Sequence, residues 1–179
     1  MMYEPIQLID FSPVVNHKEQ FRDEVILGLL QERKSIPPRF FYDRKGSELF
    51  EKICEQPEYY PTRTEKSILE THVGEIVERI GTQATLIELG SGASVKTRLL
   101  LDELADPCAY VPIDISRDFL LQSSQELALE YAGLPVLPVW ADYTHTLSRL
   151  ERELADHSKK VLFFPGSTIG NMEPSQVES

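Results

Sequence analysis

The sequence predicts an α/β fold: a parallel, doubly wound sheet preceded by a helical N-terminal region. Three observations predict it. From Ala84 onward, four short apolar segments, "ATLIEL", "AYVPID", "LPVLPVW" and "VLFFPGS", alternate with stretches of helical character. That βαβαβαβ rhythm argues for parallel strands joined by crossover helices. Each strand-like segment also ends on glycine or polar residues, where a sheet of this kind places its ligands. Before Ala84 the texture is helical and loop-rich instead.

The elements follow in order. In "HKEQFRDEVILGLLQERKS", Phe21, Val25 and Leu29, with Ile26 and Leu30, fall at helical spacing with charges opposite. "SIPPRFFYD" ends this helix, because paired prolines cannot continue one. "GSELFEKICEQ" predicts a second short helix with Ser47 as candidate N-cap. "PEYYPTRTEKSILETHVGEIVERIG" predicts a third, with Thr62 and Glu65 as a capping box and Gly81 as its stop. "SVKTRLLLDELA", "SRDFLLQSSQELALEYAG" and "THTLSRLERELADH" supply the crossover helices. The chain therefore divides into a helical region, residues 1–80, and an α/β region, residues 81–179.

Composition narrows the function. The chain has 179 residues, 41% hydrophobic and 26% charged, which suits a folded globular protein. A net charge of −11 disfavours nucleic acid and anionic membranes as partners. The densest basic cluster, Arg33–Lys34 to Arg39 with Arg44–Lys45 following, is interrupted by Pro37 and Pro38. Cys54 and Cys108 form no CxxC and read as free, buried thiols of a reducing compartment. His17, His72, His145 and His157 lack metal-ligand spacing, so no metal is expected. With no secretory signature and no apolar run of membrane-spanning length, the expected location is the cytoplasm.

"IELGSGASVKT", from Ile87 to Thr97, admits two ligand classes. As a P-loop, GxxxxGK[ST], it matches at Gly90, Lys96 and Thr97, and "YVPID" imitates a Walker B strand ending in Asp114. Val95 stands where the second glycine belongs, and a β-branched residue resists the positive φ that wraps phosphate. As a nucleoside site, Glu88-x-Gly90-x-Gly92 closes a strand and opens a helix, and the acid Asp114 follows roughly two dozen residues on. The glycine that packs beside a pyrophosphate is missing, a demand that a phosphate-free ligand such as S-adenosylmethionine relaxes. Glu88, Asp114 and Asp142 form an acidic rim that repels phosphates but suits ribose hydroxyls, an adenine amino group and a sulfonium. Lys96 is left for the ligand's carboxylate. Taken singly, each feature also has a plain reading: "DIS" and "DYT" are good helix caps, and a lone lysine is often only solvated. Together, Glu88–Gly92, Asp114, Asp142–Tyr143 and Gly166–Asn171 put suitable groups at four strand ends.

The runs "PEYYPTRTEKSIL", "IELGSGASVKTRLLL", "YVPIDIS", "ADYT" and "FFPGSTIGNMEP" resemble, in order, the histidine-specific, S-adenosylmethionine-dependent Nα-methyltransferases of ergothioneine biosynthesis. The resemblance extends from about Pro38 to Pro174. It implies a Rossmann-like class I methyltransferase sheet, here its first four strands, with S-adenosyl-L-methionine as cofactor. It implies that Gly90, Lys96, Asp114, Asp142 and Tyr143 bind the cofactor. It further implies Tyr60 and Asn171 as contacts to the amino-acid substrate, with Tyr42 beside its amine; Tyr59 is expected only to pack. No residue reads as a dedicated base. Related enzymes methylate other aromatic amino acids. The family's chains run on well past Ser179, so the resemblance implies a truncated chain with an incomplete substrate site. The edge of the fourth predicted strand would then be open, or covered by another copy of the chain. Two other functions stay open here: a cofactor-binding module without catalysis, and a P-loop NTPase.

Overall fold

One parallel sheet organises the computed structural model, which describes residues 6–11, 17–143, 147–154 and 158–172, without the side chains of 17, 18, 44, 147, 148 and 171. Its strands are β1 (Ile9–Asp10), β2 (Ala84–Leu89), β3 (Ala109–Asp114), β4 (Val139–Trp140) and β5 (Lys159–Phe163). Their order is β1-β4-β3-β2-β5. The chain steps outward from β2 through β3 to β4, then returns to lay β5 on the other side of β2. This reversal sets the topological switch at the carboxyl end of β2, the position where α/β sheets bind ligands.

Both faces of the sheet are covered, which is why its strands read as continuous apolar runs. Ile87, Leu89, Val111 and Ile113 point to one side, where they pack with Leu150 of α6 (Leu147–Glu153) and with Leu154. The alternate residues Leu86 and Tyr110 point to the other. There they meet Ile80 of α3 (Pro61–Ile80), Leu100 of α4 (Val95–Leu101) and Leu127 of α5 (Arg117–Glu130). Lys159, at the head of β5, donates to the last α3 carbonyls, Arg79 O and Ile80 O, each at 3.0 Å. A cation at a helix C-terminus is favourable, and this one ties α3 to the sheet edge.

β2 and β3 coincide with "ATLIEL" and "AYVPID", but other expectations need correction. "LPVLPVW" yields only Val139–Trp140 as strand, plus one bridge between Tyr110 and Val136. Pro135 and Pro138 have no N–H to give a ladder. β1 lies where no strand is expected; it is held by Ile9 N to Pro138 O at 2.9 Å and Phe11 N to Trp140 O at 3.1 Å. α1 (His17–Leu30) and α2 (Arg44–Cys54) form in the expected segments, separated by a 3-10 turn at Pro38–Phe41. Yet Ile26, Leu29 and Leu30 of α1 are exposed, so its apolar residues do not join the core. Asp43, and not Ser47, caps α2: its carboxylate accepts Gly46 N–H at 2.7 Å. The capping box of α3 does not form either; Thr62 donates to Cys54 Sγ at 3.4 Å and Glu65 turns elsewhere. Gly81 does stop α3. Both cysteines are free, but Cys108 is exposed where burial was expected, and Cys54 is half-buried. Among the described residues no helix is long and apolar enough to cross a membrane.

Candidate active site

The loop after β2 is built on positive φ at Gly90 (+68°) and Gly92 (+50°). It hangs from the end of β3. Gly90 N–H and Ser91 N–H both donate to Ile113 O, at 2.9 and 3.1 Å, and Gly92 N–H donates to Asp114 Oδ2 at 3.0 Å. A P-loop turns such N–H groups outward to cradle phosphate. Here the three are committed to the neighbouring strand, and Val95 simply opens α4. A side chain at Gly92 would meet nothing within 4 Å, so the loop faces open space while its backbone stays accessible.

Two acids stand at this mouth. Asp114 accepts Gly92 N–H and, at 2.8 Å, Ser116 N–H, so it performs the turn-capping role and also lines the cavity. Burial raises its pKa although those backbone bonds oppose the shift. A carboxylate offers about four acceptor positions, so capacity for ligand hydroxyls remains. Asp142, after β4, stands 3.6 Å from Arg39 Nε. Tyr143 packs edge-on against Phe164 at 5.5 Å, and burial, aided by Asp142, pushes its pKa up to about 12. Glu88, read from sequence as part of the rim, lines the cavity floor but is only 1% exposed beneath the loop, where it accepts the Tyr110 hydroxyl.

The opposite wall comes from the N-terminal region. Tyr42 and Tyr59 both pack edge-on against Phe50 of α2, each at 6.0 Å between ring centres. Arg39, from the 3-10 turn, pairs with Glu24 of α1 as well as facing Asp142. Together the walls enclose a cavity of about 560 Å³, within the usual range for small-molecule sites. Gly90, Lys96, Asp114, Asp142, Tyr143 and Tyr42 all line it.

Some expected residues lie elsewhere, and others were not foreseen. Tyr60 heads α3, is 66% exposed and does not line the cavity; Tyr59, expected only to pack, does line it. Asn171 closes the 3-10 turn Thr168–Asn171, and its side chain lies outside the described part. Lys96 lines the cavity but does not stand alone there, because it pairs with Glu65 of α3. Glu65 and Arg39 are the residues that sequence reasoning missed. No local pattern marks either: Glu65 looks like half a capping box and Arg39 like part of a surface basic cluster.

A switch-point loop that turns its N–H groups inward, beside two acids, defines a class: α/β proteins that hold a nucleoside-type ligand without gripping phosphate. Within that class, the chain belongs to the histidine-specific, SAM-dependent methyltransferase family, whose model matches residues 21–179. It is 38% identical over 173 residues to the histidine N-alpha-methyltransferase of Mycolicibacterium smegmatis, an alignment covering 95% of this chain and 52% of that protein. It is 40% identical over 156 residues to the histidine N-alpha-methyltransferase of Mycobacterium tuberculosis, covering 86% and 47%. It is 30% identical over 145 residues to ergothioneine biosynthesis protein 1 of Neurospora crassa, covering 79% and 16%. The chain thus spans about half the length of the two bacterial relatives.

Proposed function

We propose that the protein carrying this chain is an S-adenosylmethionine-dependent methyltransferase acting on the α-amine of histidine, towards Nα,Nα,Nα-trimethylhistidine in ergothioneine biosynthesis. The observation that carries this reading is the inward commitment of the Gly90, Ser91 and Gly92 N–H groups beside Asp114 and Asp142. Such a mouth suits a cationic nucleoside and repels a phosphate chain. The family's name and those of the two bacterial relatives support histidine as the substrate.

The cofactor, when bound, supplies a methyl group already activated by a positive sulfur. What remains for the protein is to position the amine and strip it of water. Gly90 and Gly92 let the backbone come close. Asp114 and Asp142 are acceptors for hydroxyl and amino groups, with Tyr143 beside them. Lys96, held by Glu65, keeps further N–H donors for the tail carboxylate. The Tyr42, Phe50 and Tyr59 rings form an aromatic wall suited to an amine that gains charge as it is methylated, an attraction of about 0.5–2 kcal/mol. Tyr42 is the residue we place beside the amine, and we assign no base. We assign Asn171 to the amino-acid side, whereas Tyr60 is exposed outside the cavity. In this division residues 1–80 serve the substrate, joined by Asn171, and the rest of residues 81–179 serves the cofactor. The free thiols of Cys54 and Cys108 suit the cytoplasm; self-association along the β5 edge is proposed for residues 1–179 by themselves.

Calorimetry on the full-length protein tests the reading. S-adenosylhomocysteine should bind saturably, and Asp114→Ala should weaken it by about tenfold or more. Histidine should then be methylated. Binding without turnover of any amino acid would leave a cofactor-binding module. Failure to bind donor or product, or magnesium-dependent ATP binding in their place, would overturn the proposal.

A further inference from the structure

Three parts of the cavity wall meet at Glu65. From the second turn of α3 its carboxylate pairs with Lys96 of α4. It also accepts the Gly166 N–H, at 2.8 Å on Oε1 and 3.1 Å on Oε2. Gly166 opens the turn after β5, with φ at +83°, and a Cβ there would stand 3.7 Å from Lys96 Nζ. The Lys96 side chain is 15% exposed, so water screens its charge poorly and its compensation must be local.

We propose that Glu65 is a positioning residue that neutralises Lys96 and anchors the Gly166 turn, thereby setting how well the cavity accepts a cationic ligand relative to an uncharged analogue. This rests on the methyl-donor reading above. Donor and demethylated product carry the same tail carboxylate and amine, and differ by one positive charge at sulfur. With Glu65 in place, the Lys96–Glu65 pair is neutral overall and that charge is tolerated. Without the carboxylate's charge, Lys96 loses its paired partner and keeps only the longer-range pull of Glu51 and Glu88, so the cavity wall there becomes more positive. It then repels the sulfonium while still attracting the tail carboxylate, so preference moves towards the product.

Glu65→Gln isolates this effect, because the amide oxygen still accepts the Gly166 N–H. Calorimetry on the full-length protein should show the ratio of donor Kd to product Kd rising by about fivefold in the variant. Most of the rise should survive at about 0.5 M salt, because a charge this far buried is screened little. Adding Lys96→Gln to Glu65→Gln restores neutrality and should bring the ratio back, although both ligands then bind more weakly. A purely structural role for Glu65 would lower Tm and weaken both ligands equally. An unchanged ratio in Glu65→Gln, with wild type binding both ligands, would overturn this proposal and leave the donor reading intact. Wild type binding neither ligand would overturn the donor reading, and this inference with it.

Discussion

Glu88 sits where water barely reaches. It accepts the Tyr110 hydroxyl, and Tyr110 in turn lies 2.8 Å from the Ser94 hydroxyl, so a short buried chain of polar groups runs under the glycine loop. Burial pushes the Glu88 carboxyl up to about 7, against the pull of neighbouring hydroxyls and Lys96. A carboxyl whose pKa is higher in the fold than in the unfolded chain holds its proton more tightly when folded. The stability it contributes is whole below about pH 4.5 and is lost as pH rises through about 7. The loss is on the order of 3 kcal/mol above that window. Glu88→Gln keeps an acceptor for Tyr110 and has no proton to lose. Its urea midpoint should therefore stay flatter than the wild-type midpoint from about pH 5 to pH 8. Parallel curves for the two proteins would remove Glu88 as the cause. Burial raises Asp114 too, with the same sign, so some slope should persist. At this scale sequence reading brings together residues that the fold also gathers: Gly90, Lys96, Asp114, Asp142 and Tyr143 line one cavity. It fails at Glu65, whose Gly166 partner is 101 residues away and invisible to any local pattern.

Elements show the same division between local and distant causes. α2 begins where it does because Asp43 offers its carboxylate to Gly46 N–H. Asp43→Ala should cost about 1 kcal/mol in chemical denaturation. Ser47→Ala, one turn further in, should be nearly neutral; the opposite order of effects would restore Ser47 as the cap. Helices α1 to α6 all fall inside segments of helical character, although the apolar spacing of α1 does not become a buried face. β2 and β3 are legible because both of their faces are buried, which leaves an unbroken apolar run. β1 is not, since two residues carry no period and become a strand only by pairing with β4. β4 is shorter than its apolar run because Pro135 and Pro138 interrupt the ladder. The Thr62–Glu65 pattern satisfies the rule for a capping box, yet α3 starts earlier, with Tyr60 at the N-cap and Pro61 in the first turn, so Thr62 already lies inside the helix.

At the scale of the whole molecule, the sheet has one weak side. β5 is its outermost strand beside β2, and among the described residues nothing pairs with its far edge. Leu162 in that strand is 50% exposed. A trough lined by Ile76, Ile80, Leu86, Leu100 and the β5 side chains runs alongside. Lys159 and Lys160 stand at the start of the strand, but both ammonium groups already hold local carbonyls, so they guard the edge incompletely. Unpaired backbone beside apolar surface favours pairing with another strand. The net charge of −11 opposes it, because two copies repel. Expressed as residues 1–179, the chain should therefore associate in a concentration-dependent way, and salt should strengthen association by screening that repulsion. Leu162→Lys should shift the population towards monomer in sedimentation velocity while circular dichroism stays unchanged. The substitution makes the chain less negative, so general repulsion would predict tighter association; a shift to monomer must come from the edge itself. A wild-type chain that stays monomeric at high concentration and high salt would show that this edge does not recruit a partner strand.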